Sequence, residues 1–591
     1  MHEVISKLDV LSFPHKVNLF GDLYYIVEDG GDYRLISTVC PHQGARIELI
    51  DDTFVCPVHN WQFDLGGCGK NVKNQKMYSV DLVQKNDSLF VDPIELNTCV
   101  DERLKTRKTS PTDIDFKLHA HACLEIIHEG FSILTDPWLD GPAFLGSWIQ
   151  NPKPKIKIAD LSPDIIWISH EHSDHFHENS ISQFDRNIPI YFPDFPNKRI
   201  ESKLKEMGFR NVCPMSFGTE YTVNEKVKFT CYEPESVWND SIVHIDVDGF
   251  NVLNINDAGV NHKIKKYLPP IDLLCSSFSP GASGYPLCWN MKENQEREYY
   301  ETSKRGMIEM LRHAMEMYDS KFLLPFASHF KLQVPEHQEY DKRIGKNTLN
   351  DVTEQLERYN VVDLMPGESW NSKSGVFNRL HTQRSRGKGY QQKTELFNLE
   401  EFKKFHPAPN LVFDRNLLQE YILDLNKCPE VVHCEEIQVE LNDVLFHIEK
   451  GKIQLGQIKP VDLSIRVPDN VLFHIVRNDI SWDEAHIGYW CSMKRVGGYN
   501  QNFWRLLQAP YYVKTLDVNS DGILGKNIKN MIDEHPLSAT ILERYGLYCS
   551  GCGSSYKETF QQAMIYHGLS ENQMHKLEKE IYFLYEHDNL R

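Results

Sequence analysis

The apolar run Asp164-Ile165-Ile166-Trp167-Ile168 leads directly into Ser169-His170-Glu171-His172-Ser173-Asp174-His175. A short hydrophobic run of this kind reads as a buried strand, so the metal-type side chains fall on the turn at its end, where α/β folds place their chemistry. His170 and His172 alternate, so both can aim at one metal. Asp174 and His175 follow at once and can reach a second metal a few ångströms away, the arrangement of two-metal sites. A merely polar, histidine-rich loop is the competing reading, and so many ligand-type residues packed into one turn weigh against it.

At 591 residues the chain is too long for one core, and a prior of roughly 100–200 residues per domain suggests about three or four. The excess of acidic residues gives a net charge of −19, which argues against non-specific binding to nucleic acid or an anionic membrane. No apolar run approaches the ~20 residues of a membrane span. The start, Met1-His2-Glu3-Val4-Ile5-Ser6-Lys7, has no basic segment followed by an apolar one, so no signal peptide is visible and a cytoplasmic location is expected. In that setting the 14 cysteines read as free thiols and metal ligands rather than disulfides.

Residues 1–99 hold short strand-like runs such as Leu23-Tyr24-Tyr25-Ile26-Val27, separated by Gly and Asp turns, which points to an all-β unit. Its chemistry lies in Cys40-Pro41-His42-Gln43-Gly44 and Cys56-Pro57-Val58-His59-Asn60-Trp61. Two thiolates and two imidazoles can close a zinc site, or hold a [2Fe–2S] cluster with Cys on one iron and His on the other. Cys68 stands alone as a loop thiol. Residues 100–114 are polar and charged and read as a linker.

From 115 to 390 strand-like runs alternate with helical periods, as in an α/β layered domain. Further ligand candidates end such runs: Asp257 after Asn251-Val252-Leu253-Asn254-Ile255-Asn256, and His329 after Leu323-Leu324-Pro325-Phe326-Ala327-Ser328. Glu233 and Glu235 stand in a short acidic stretch, each readable as a ligand or as a solvated loop carboxylate. Asp136, before Pro137, can orient a metal-bound histidine or start a turn. Residues 391–520 mix charged helical pieces with strands, for example Val461–Val467, and form an α/β accessory unit. Residues 521–591 are helical around Cys549-Ser550-Gly551-Cys552, a spacing suited to a redox dithiol, half a metal site or two structural thiols.

C-P-H-Q-G followed by C-P-x-H-x-W-x-F-D resembles the Rieske ferredoxin motif. The resemblance implies Cys40 and Cys56 on one iron, His42 and His59 on the other, and a one-electron carrier. The order Phe116–Leu124, Ile133–Leu139 and the H-x-H-x-D-H run resembles the metallo-β-lactamase fold in its ascorbate-lactonase-like branch. That likeness implies an αββα sandwich with metal ligands on successive loops at one edge: His170, His172, Asp174, His175, a bridging Asp257 and His329. The fold's usual third ligand to the first metal is a histidine; the residues here offer Glu235 or Glu233. A carboxylate there suits iron better than zinc, and a di-iron hydroxylase family of this fold is known to have such a glutamate. His121 matches a family position beside the metal pocket and is expected to act in catalysis or substrate contact, as is Asp257.

Together the two domains resemble the CMP-N-acetylneuraminate hydroxylases and the related UDP-N-acetylmuramate hydroxylases, on Thr135–Phe144, Ile168–His175 and Gly281–Pro286. The resemblance implies a Rieske-dependent non-haem iron monooxygenase with one or two irons and O₂ as cosubstrate. Electrons would come from a ferredoxin, cytochrome b5-type or flavin reductase. The substrate would be a small molecule, either an N-acyl sugar nucleotide or an amino-acid-derived metabolite, and a homo-oligomer is compatible with this. Residues 391–520 look like a sterol-carrier-type module, and the tail like a small helical C-x-x-C domain. The alternative is a zinc hydrolase or lactonase, in which the Rieske part has no evident job.

Overall fold

The computed structural model describes residues 2–91, 112–280, 293–381, 414–513 and 523–581, with short gaps inside these blocks. His42, Gln43, Gly44, His59, residues 235–238, residues 281–292 and Cys552 lie outside the described residues.

The first 91 residues fold as three small antiparallel sheets. His15–Leu19, Asp22–Asp29, Asp32–Ser37 and Ser79–Asp81 form one; His2–Ser6, Ser88–Val91 and Val83–Lys85 another. Glu48–Ile50, Thr53–Val55 and Gln62–Phe63 form the third, beside the two cysteine loops.

Residues from 112 to 381 build two facing sheets. The first has eight strands and becomes parallel along Phe131–Thr135, Ile165–Trp167, Ile190–Pro193 and Val212–Met215. The second has seven, with Phe250–Asn256, Leu273–Ser277 and Phe322–Phe326 parallel at its centre. These central strands are apolar on both faces, and their two-residue period sorts them between two cores. Val252, Leu273, Cys275 and Leu324 face the first sheet. Leu253, Ile255, Leu274 and Leu323 face outward. The outward layer is covered by the 25-residue helix Glu293–Met317. Its Met307, Ile308, Leu311, Ala314 and Met315 recur at helical spacing and form a buried stripe.

The same outward core takes in Cys40, Cys56, Val58 and Trp61 of the first unit. Ser303 Oγ donates to the Val58 carbonyl, and an Arg46 Nη donates to His313 Nδ1 at 2.9 Å. Gly306 explains how the helix comes so close: a Cβ there would sit 3.0 Å from the backbone of Pro57 and Val58.

Residues 414–513 add a five-stranded sheet (Lys452–Leu455, Val444–Glu449, Ile437–Leu441, Leu463–Arg466, Ser492–Arg495) with the helices Arg415–Asp424, Asp469–Asn478, Trp482–Ile487 and Gln501–Val513 around one core. The last block holds the helices Ile528–Glu534, Leu537–Arg544 and Phe560–Tyr566 around its own small core, which includes Cys549. No described helix is long and apolar enough to cross a membrane.

Candidate metal centre

Four strands deliver the site. His121 follows Asp115–Ala120, the 168–177 loop follows Ile165–Trp167, Asp257 follows Phe250–Asn256, and His329 lies three residues beyond Phe322–Phe326. The turns between strand and site carry left-handed backbone at Asp136 (φ +37°), Asn256 (φ +39°) and Ala327 (φ +51°). Such strain costs of order 1–3 kcal/mol each and persists where the surroundings over-determine it, as at functional sites.

His170 Nε2 and His172 Nδ1 meet at 2.9 Å. His175 Nε2 lies 3.4 Å from Asp257 Oδ2 and 3.6 Å from Asp174 Oδ2. His121 Nε2 lies 3.1 Å from the same Asp174 oxygen. Among the described residues, two sets therefore have ligand atoms close enough to share a cation: His121, Asp174, His175, and His170, His175, Asp257. His121 Nδ1, Asp174 Oδ1 and His175 Nε2 are buried without a hydrogen bond. Buried polar atoms of this kind cost free energy unless something occupies them, so the donor set fits a metal ion. Most of the site is sealed, whereas the Asp257 side chain is 36% exposed and marks the open side. His329 is fully buried, with its ring edge-on to Phe278 at 5.6 Å; among the described residues it is in neither shared-cation set.

The charges are tuned by burial and by neighbours. Burial, with His175 and His172 nearby, holds the His170 imidazole well below its usual range. Burial opposes the charge on His175, but Asp174 and Asp136 prevail and raise it. Burial likewise works against Asp174 ionisation, and His175 and His121 overcome it. Carboxylates and imidazoles that stabilise one another's charge are the groups a cation would bind in place of those protons.

Supporting contacts fix the ligand rings. Asp136 Oδ2 lies 3.1 Å from His175 Nδ1 and also accepts from Asn256 Nδ2 at 2.7 Å and Ser169 Oγ at 2.8 Å. Asp240 Oδ1 lies 3.4 Å from His170 Nδ1. His119, by contrast, turns away to Glu125 at 3.0 Å. Glu233 is not among the clustered donors, and Glu235 lies outside the described residues.

Several contacting residues come from far along the chain, and no local spacing signalled them. Glu171, between the two loop histidines, accepts from Asn197 Nδ2 at 2.9 Å and from Tyr511 OH at 3.3 Å. Asp483 and Glu484, on the helix Trp482–Ile487, reach His172 and Ser173. Around His121 stand the edges of Trp138, Trp148 and Phe330, with centroids 5.4, 6.4 and 6.0 Å away.

In the first unit, Cys40 N–H bonds to the Ala45 carbonyl and Cys56 N–H to the Trp61 carbonyl, each at 2.8 Å. Each cysteine is thus bonded to the residue five positions on; His42 and His59 fall within these intervals of the sequence and lie outside the described residues. Cys40 and Cys56 are buried, unbridged by disulfide and packed in one core. Two buried thiols on paired loops fit the sulfur side of a [2Fe–2S] cluster.

Residues 3–85 match the Rieske [2Fe-2S] domain and residues 115–275 the Beta-lactamase superfamily domain. The chain is 22% identical over 564 residues to the cytidine monophosphate-N-acetylneuraminic acid hydroxylase of Macaca mulatta, covering 85% of this chain and 92% of that one. The Danio rerio protein of the same name is 23% identical, covering 86% and 92%. Among solved structures there is a slight likeness to CmlA, a diiron beta-hydroxylase from Streptomyces venezuelae: 14% identity, TM-score 0.30, covering 45% of this chain and 55% of that one. The chain thus joins a Rieske domain to a β-lactamase-fold domain, with homology to these hydroxylases over most of its length, and it is an oxidoreductase.

Proposed function

We propose that this chain is a Rieske-dependent non-haem iron monooxygenase that hydroxylates or N-oxygenates a small molecule. The observation carrying this reading is the shared core in which the cysteine loops, the strand leading to Asp257 and the helix Glu293–Met317 pack together. An electron carrier seated on the metal-bearing domain has a use in oxygen chemistry and none in hydrolysis.

In this reading Cys40, His42, Cys56 and His59 hold the [2Fe–2S] cluster. His170, His172, Asp174, His175, Asp257, His329 and Glu235 hold one or two irons. Bound iron supplies the reduction of O₂, with one oxygen atom going to substrate and the other leaving as water, on electrons from a ferredoxin, cytochrome b5-type or flavin reductase. The protein's own part is geometry and exclusion of solvent. Asp136 and Asp240 orient His175 and His170. His121 stands ready to hold or move a proton at Nε2, beside Asp174. Trp138, Trp148 and Phe330 keep water from that imidazole.

The substrate follows the relatives' name to an N-acyl sugar nucleotide, or the glutamate in the ligand set to an amino-acid-derived metabolite. The five-stranded unit is read as the sterol-carrier-like module; its sheet and flanking helices support that. A cytoplasmic site of action fits cysteines that form no disulfide among the described residues.

The test is metal analysis with Mössbauer spectroscopy on anaerobically purified protein, beside Cys40→Ser. About two irons beyond the cluster pair, kept in the variant, support a di-iron oxygenase. One extra iron indicates a mononuclear enzyme. Zinc at this site, with hydrolysis that needs no reductant, sinks the oxygenase reading.

A further inference from the structure

The loop Ser169–His177 is packed against a helix supplied by the five-stranded unit, and the contact falls on a ligand-type histidine. His172 turns Nδ1 toward His170 Nε2, at 2.9 Å, and Nε2 toward Asp483 Oδ2, at 3.5 Å. Its two nitrogens are thus divided between the His170 ring and a carboxylate, and among the described residues His172, like His329, is in neither shared-cation set. Asp483 is itself buried and held from behind: Gln508 Nε2 donates to its Oδ1 at 3.0 Å, and Ser481 caps its backbone N–H at 3.1 Å. The next residue grips the next position of the loop. Ser173 Oγ donates to Glu484 Oε2 at 3.0 Å and Ser173 N–H to Oε1 at 3.3 Å.

The helix cannot drift from this position. Trp490 Nε1 donates to the Phe144 carbonyl at 3.0 Å and Trp148 Nε1 to the Ile487 carbonyl at 3.1 Å. A Cβ on Gly488 would come within 2.5 Å of the Glu484 carbonyl oxygen and 2.9 Å of that of Phe144, so glycine serves both the end of the helix and its approach to Phe144.

We propose that Asp483 is a positioning residue of the metal centre: its carboxylate holds His172 by Nε2 and so presents Nδ1 to the metal that His170 shares. The proposal rests on the reading of His170 and His172 as ligands. A carboxylate on the second nitrogen of a ligating imidazole fixes its tautomer and orientation and raises its basicity. A buried carboxylate is costly without such a use. The five-stranded unit is then part of the metal centre, supplied from more than 300 positions away.

The test is Co(II) titration of the metal-stripped full-length chain in a Cys40→Ser background, followed by visible absorption, with metal-free melting temperature as control. The expected result is that Asp483→Asn weakens one Co(II) equivalent by roughly 10–100-fold and shifts its visible band. The other equivalent and the metal-free melting temperature stay as in the parent. Gln508→Leu, which leaves the carboxylate in place but unbraced, is expected to give a smaller loss in the same direction and serves if Asp483→Asn fails to fold. Unchanged Co(II) affinity in both variants overturns the proposal, as does a lowered metal-free melting temperature without a change in affinity. If the parent takes up no Co(II), or His170→Ala leaves uptake intact, the ligand reading has failed and the proposal falls with it.

Discussion

Asp136 Oδ2 stands 3.1 Å from Nδ1 of His175, with neither side chain exposed to solvent. The same oxygen takes bonds from Asn256 and Ser169, so it is both an anchor for the imidazole and the hub of a buried network. Asp136→Asn puts a donor or a neutral oxygen where three groups point. We expect a stability loss of about 1–3 kcal/mol and, for the metal proposed at His175, a fall of roughly 10–100-fold in affinity. Denaturant unfolding and metal titration read the two effects separately.

His121 touches Asp174 from inside an aromatic wall. His121→Ala is expected to keep the parent's metal content and to lose about 10²–10⁴ in turnover, the usual yield of a positioned acid or base. Metal analysis beside single-turnover kinetics decides it. The loss of one metal equivalent would instead make His121 a ligand, with Asp174 and His175.

At the junction of the cysteine loops and the long helix, Gly306 has no room for a Cβ against Pro57 and Val58. Alanine is the better helix former by about 1 kcal/mol, and overpacking typically costs about 1–3 kcal/mol. Gly306→Ala is therefore expected to be net destabilising, and to alter the electron paramagnetic resonance spectrum of the reduced cluster while iron content stays the same. A more stable protein with an unaltered spectrum would show that the contact is loose.

His313 supplies a pH dependence at the same junction. Burial, and next the charge of Arg46, push its pKa down to about 3, because Nδ1 already accepts from Arg46. The unfolded chain, with an ordinary value near 6.5, then binds more protons than the fold across that window. The contribution is complete above about pH 6.5 and is lost as pH falls toward the folded value. Melting temperature is expected to drop on acidification below about pH 6.5. His313→Gln, which keeps an acceptor for Arg46, should flatten that drop.

The local parts of this molecule were legible in its residues. The strand before His170 and the runs ending near Asp257 and His329 are set by apolar periodicity, and each appears as a strand with its ligand-type residue at or just beyond the end. Asp136 was open between turn and anchor; its bonds to His175 and Ser169 make it an anchor. Asp483, Glu484 and Tyr511 carried no comparable sign. They are ordinary residues of amphipathic helices, and only the docking of the five-stranded unit gives them a role. Gly306 was equally silent, since a glycine within a helix shows no preference for what lies against it until the tertiary contact is known.

Ser173 and Glu484 are 311 positions apart. At about 5–20 residues per second, a ribosome releases the first roughly 15–60 s before the second. Throughout that interval the nascent histidine loop lacks its far wall. If these histidines hold a metal, as proposed, its insertion is expected to follow translation of the five-stranded unit, and a chain truncated before residue 480 is expected to lack the wall that Glu484 and Asp483 give the loop.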